Sequence, residues 1–216
     1  WSDSRATIAY QNLLDGRVEE RKTDGPAVVF AEDDLGRSFA QMAPGEPAVT
    51  LGFDSAFPEN VDDLHIFISC AEPAALDQLL SRCPESKLED LVFLNYGDFL
   101  EPVLKKHNCG RDRQTQAVVY LAMNEYGKVE DERTSIGDDR MGVPKYAAET
   151  SVTGKWSGHF ADRLNRHQFY CAELFYRDWR RVMLERVSFE AVYHLVGVLH
   201  KSVPVKEVHE YFPDEV

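Results

Sequence analysis

The sequence lacks any hydrophobic run long enough to cross a membrane. A membrane-spanning helix needs about 20 consecutive apolar residues, and the longest apolar runs here are far shorter. Basic residues are also few: 24 lysines and arginines stand against 37 acidic residues, for a formal net charge of -13. Because cations bind phosphate backbones, this balance argues against a nucleic-acid partner. It favours basic protein partners or plain solubility.

Motifs of common catalytic and metal sites are missing as well. The four cysteines form no C-x-x-C pair and no secreted disulfide spacing, which favours a reducing compartment. The seven histidines include no H-E-x-x-H sequence, and no serine stands in a G-x-S-x-G sequence. We therefore expect no metal site and no acyl-transfer chemistry.

What the sequence does contain is a strand, tight turn and helix pattern at residues 27–42. A β-branched and aromatic run is followed there by apolar residues at helical spacing. In a dinucleotide-binding unit the turn reads G-x-G-x-x-G. The first glycine allows the tight turn, the second lets the backbone approach the pyrophosphate, and the third lets the helix pack closely on the strand. Here those positions are Ala31, Asp33 and Gly36, so only the packing glycine is present.

The start of this helix is acidic, which is the wrong charge for a phosphate site. Glu32, Asp33 and Asp34 stand where the helix dipole would attract a phosphate. Asp33 and Asp34 could bind a metal ion, but acids in a first helical turn are more simply explained by the dipole itself. The pattern thus predicts the fold of a dinucleotide-binding unit without its phosphate site.

Strands and helices alternate through residue 123, which predicts a parallel α/β sheet. Further strands are predicted at 48–51, 64–70, 91–95, 117–123, 150–153 and 170–175, and helices at 72–80, 99–106 and 156–164. A long helix is predicted from Asp178, with an apolar stripe formed by Trp179, Val182, Met183, Val187, Val192, Leu195, Val196 and Leu199. We expect an α/β fold with a Rossmann-like, mostly parallel sheet flanked by helices. The expected organisation is an N-terminal arm at 1–25, the sheet domain at 26–176, and a C-terminal helix and tail at 177–216.

The order of these pieces resembles the ketopantoate reductase-like proteins, a branch of the 6-phosphogluconate dehydrogenase-like Rossmann families. The resemblance is carried by the loop Ala31–Gly36, the strand ending at Cys70, the segment Leu91–Gly97 in place of the family's strand ending in Asn-Gly, and the helix containing Met183–Arg186. Three segments look closer still to a plastid branch of these proteins in plants and algae: Asp90–Phe93, Met183–Arg186 and Leu195–Gly197.

The resemblance also implies which residues to compare with the family's site. The family's catalytic lysine donates a proton to the carbonyl that receives hydride, and the matching residue here is Arg186. Arginine keeps its proton at any ordinary pH. Glu190 and His194 match polar asparagines of the family, Cys70 matches a lysine that meets the cofactor, and Asn95 is retained. The resemblance therefore implies vestigial catalytic positions at Arg186, Glu190, His194 and Asn95, and a vestigial cofactor loop at Ala31, Asp33 and Gly36.

From these departures we expect a domain that has lost its enzyme chemistry and holds no cofactor. It would serve as an accessory subunit among the protein subunits of a larger complex. The plastid resemblance implies the chloroplast, and more specifically the stromal side of an algal photosynthetic complex such as photosystem I. The alternatives are an NAD(P)-dependent oxidoreductase with an unusual loop, a binding module for another small ligand, and a cytoplasmic location.

Overall fold

A computed structural model describes residues 27–41, 48–58, 66–97, 100–109, 114–119, 150–166 and 171–216. The predicted arm at 1–25 lies outside these described residues. The chain divides into two compact units, the first ending at Trp179 and the second comprising Arg180–Val216.

The first unit is built on one seven-stranded sheet. Its strands are β1 (Ala27–Ala31), β2 (Ala48–Leu51), β3 (Ile66–Ser69), β4 (Val92–Phe93), β5 (Thr115–Val118), β6 (Ser151–Thr153) and β7 (Ala172–Glu173). They lie in the order β2-β1-β3-β4-β5-β6-β7. The first five strands are parallel, β6 is antiparallel to β5, and β7 is parallel to β6. The predicted α/β fold with a mostly parallel, Rossmann-like sheet is confirmed.

Helices follow the strands much as the sequence pattern indicates. They are α1 (Asp34–Gln41), α2 (Pro73–Arg82), α3 (Leu100–Lys106), α4 (Ser157–Arg166), α5 (Tyr176–Leu199) and α6 (Val205–Tyr211), with short 3-10 helices at Glu85–Asp90 and Pro213–Glu215. The strand predicted at 117–123 begins two residues earlier, at Thr115, and ends at Val118. Residues 120–123 lie outside the described residues.

The sheet is buried on both faces, which explains its near-continuous apolar strands. On one face Val29, Phe67 and Leu94 pack with aromatic residues of the covering helices. Two of these aromatics, Phe39 and Phe160, are stacked with ring centroids 5.9 Å apart. The other face carries its own buried cluster, which includes Phe30, Ile68, Phe93, Leu76, Leu79 and Leu80. Packing on both faces therefore holds the parallel strands, and with them the edge of the sheet at which they end, in place.

The second unit contains most of α5 and all of α6. Tyr193 and Val196 of α5 form a buried cluster with Val208 of α6. A Cβ on Gly197 would lie 2.8 Å from the carbonyl oxygen of Val203, so a glycine is required where the chain turns back from α5. Among the described residues, no helix has both the length and the apolar content to span a membrane.

The apolar stripe predicted on the long helix is correct only in part. Trp179, Met183 and Val196 are buried, whereas Leu195 and Leu199 are 62% and 68% exposed. The predicted stripe groups together apolar residues that lie on two different sides of α5. The helix therefore has a buried apolar side and an exposed one.

Candidate functional site

Three chain segments bring polar side chains together at the carboxyl edge of the parallel sheet. Asp33 lies two residues after β1, Ser69 ends β3, and Asn95 lies two residues after β4. Ala31 and Ser69 are register partners in the pairing of β1 with β3. Because the chain winds from β1 to β2 on one side and continues from β3 on the other, this is the switch point where α/β sheets bind ligands.

The Asp33 carboxylate is the centre of this cluster. Its Oδ1 accepts a 2.9 Å hydrogen bond from the backbone N–H of Gly36 and a 2.6 Å bond from the hydroxyl of Ser69. Its Oδ2 accepts a 3.1 Å bond from the side-chain amide of Asn95. Since α1 begins at Asp34, Asp33 is the N-cap of α1 and satisfies one of its first N–H groups. The structure places this acid just before the first helical turn, as a cap.

Gly36 allows α1 to approach the sheet closely, as its position in the turn predicted. A Cβ at Gly36 would lie 2.5 Å from the Cβ of Ala31 and 2.5 Å from the Cβ of Ser69. No side chain fits at such distances without movement of the helix or the strands. The close approach also brings the N–H of Gly36 to the Asp33 carboxylate.

Asn95 links the ends of β3 and β4. While its side-chain N–H donates to Asp33, its Oδ1 accepts a hydrogen bond from the backbone N–H of Cys70. Both ends of the amide are therefore engaged within the protein. Asn95 is a fixed part of the cluster.

The thiol of Cys70 lies beside this cluster, in surroundings that disfavour its thiolate form. Its Sγ donates to the carbonyl oxygen of Glu72 at 3.2 Å. Burial raises the pKa of Cys70 to about 11, and the nearby charges of Glu32 and Asp33 also raise it, against a lowering by the Glu72 carbonyl. The thiol is therefore protonated at neutral pH.

The carboxyl edge of the sheet is acidic, and the Asp33 carboxylate there already accepts three hydrogen bonds from the protein. Glu32 is exposed next to the half-buried Asp33. An anionic ligand would meet these carboxylates, while the N–H of Gly36 is occupied by Asp33. Among the described residues, no group of three His, Cys, Asp or Glu side chains is placed to hold a metal ion.

The residues matched to the family's catalytic positions lie partly in the second unit. Arg186 and Glu190 on α5 form an ion pair with 2.7 Å between Nε and Oε1, at the i, i+4 spacing. His194 is exposed on the same helix. The structure thus brings Ala31, Asp33, Gly36 and Asn95 together in the first unit, and joins Arg186 to Glu190 in the second.

A cavity of about 580 Å³ lies at the opposite, amino edge of the sheet and was not predicted. Its cations already have acidic partners: Lys106 lies 2.6 Å from Asp77, and Lys155 lies 2.5 Å from Asp90. His107 Nε2 also lies 2.7 Å from Asp77. Lys106, His107 and Lys155 are therefore all paired with carboxylates of the protein itself.

Sequence reasoning also missed Ser69 as a partner of Asp33. The available signal was its position at the end of a buried strand, since parallel strands next to each other end at the same edge.

Compared with known proteins, the chain matches no family model, no curated protein and no solved structure. The fold and the geometry of the cluster therefore carry the functional argument.

Proposed function

We propose that this chain is a non-catalytic, Rossmann-like accessory subunit of a larger protein assembly. One observation carries the proposal: the carboxylate of Asp33 occupies the helix start where a dinucleotide-binding protein holds a phosphate. The protein's own anion thus takes the hydrogen bond that a cofactor would need.

Electrostatics disfavour a pyrophosphate at the same place. Two like unit charges 4 Å apart repel by about 4 kcal/mol at the effective dielectric constant near a protein surface. Asp33 and the neighbouring Glu32 both oppose such a ligand. The hydrogen bonds from Ser69 and Asn95 hold the Asp33 carboxylate in position, so it cannot swing away without leaving those donors unpaired.

The proton-donating step of a reductase is also unsupported. Arg186 stands at the position that the resemblance assigns to the catalytic lysine, and it is paired with Glu190. A guanidinium does not release a proton at ordinary pH. The protonated thiol of Cys70 offers no cationic contact where the family has a lysine.

The plastid resemblance suggests which assembly this is. We propose a chloroplast protein on the stromal side of an algal photosynthetic complex, with photosystem I as the specific candidate. The net charge of -13 fits basic protein partners. Such a subunit would contribute contacts rather than chemistry.

The test is gentle isolation of the chain from its native cells, followed by a native gel and mass spectrometry of the co-migrating proteins. The proposal expects the chain in a pigmented membrane complex that contains photosystem I subunits. Migration of the chain alone would contradict it.

One observation favours an alternative, an NAD(P)-dependent oxidoreductase similar to ketopantoate reductase. Asn95, which the resemblance retains, does lie at the switch point. The same crevice position leaves a third candidate, a module that binds another small ligand. A metabolite retained in the native mass spectrum would favour the third, and saturable NADPH binding would favour the second.

A further inference from the structure

We draw no further inference here: the strongest candidate, the exposed apolar side of α5 around Leu195 and Leu199, has carboxylates beside its cations at both ends, and nothing in the described residues shows what covers it.

Discussion

The hydroxyl of Ser69 donates a 2.6 Å hydrogen bond to the carboxylate of Asp33 across the line where the sheet reverses its winding. This bond joins the end of β3 to the start of α1, 36 residues apart along the chain. Together with the bond from Asn95, it engages the Asp33 carboxylate at the edge where α/β sheets commonly bind ligands.

Removing the Asp33 carboxylate should destabilise the first unit. Asp33→Ala deletes the N-cap of α1 and leaves Ser69 and Asn95 without their acceptor, so we expect a loss of about 2 kcal/mol in the free energy of unfolding. Urea denaturation measures it. Glu32→Ala is the control, because Glu32 is exposed and makes no hydrogen bond with another described residue; its effect should stay within about 0.5 kcal/mol. Equal effects of the two substitutions would contradict the role of Asp33.

Gly36 should not tolerate even one added methyl group. Gly36→Ala places a Cβ 2.5 Å from two neighbouring Cβ atoms, so we expect a loss of about 2 kcal/mol or more in the free energy of unfolding. Gly158→Ala is the matched control in α4. Its Cβ would meet only the Glu173 carboxylate at 3.5 Å, and the helix should gain up to about 1 kcal/mol. Thermal unfolding of both variants decides, and a stable Gly36→Ala protein would refute the close packing.

Three thiols, those of the buried Cys70 and Cys109 and of the half-buried Cys83, should be slow to react in the folded protein. Burial is the main cause that raises the pKa of Cys70 to about 11, of Cys83 to about 12 and of Cys109 to about 11. At pH 8 only about one thiol in a thousand is ionised at a pKa near 11. We expect little labelling by a disulfide reagent until guanidinium is added, with the sites mapped by mass spectrometry. Rapid labelling of Cys70 in the folded state would be inconsistent with this environment.

Asp77 should titrate below the ordinary range for an aspartate. The hydrogen bond from Lys106 is the largest cause that lowers the pKa of Asp77, followed by the one from His107. Because the folded-state pKa lies below the unfolded value of about 4, the contribution to stability is present above about pH 4. It is lost as the pH falls through the folded-state pKa.

Carbon NMR of the Asp77 carboxyl group tests this directly. Lys106→Ala should raise the midpoint of the titration, whereas Lys105→Ala should leave it in place, because Lys105 makes no ion pair with Asp77 or any other described residue. A midpoint that does not respond to Lys106→Ala would contradict the assigned cause.

The local elements could be predicted because their signals lie close together in sequence. The residue pattern at 27–42 predicts the strand, turn and helix around Gly36, and the alternation of strands and helices through residue 123 predicts the parallel sheet. The partners of Asp33 could not be predicted in the same way, since Ser69 and Asn95 lie 36 and 62 residues away. Only the strand order and register bring them to one edge.

Two further features needed the three-dimensional structure for different reasons. The antiparallel direction of β6 depends on how the chain returns to the sheet, which no residue pattern near Val152 records. On α5, apolar periodicity identified the residues but could not separate the buried Val196 from the exposed Leu195. When a helix has apolar residues on two sides, the 3.6-residue spacing alone does not show which side is buried.

The central claim is that the Asp33 carboxylate excludes a dinucleotide from the switch point. Isothermal titration of the folded chain with NADPH, with NADH in parallel, tests it most directly. The account predicts no saturable binding up to about 1 mM, the upper end of the range in which enzymes commonly use their substrates. Saturable one-to-one binding below that concentration, strengthened by Asp33→Gly, would contradict it.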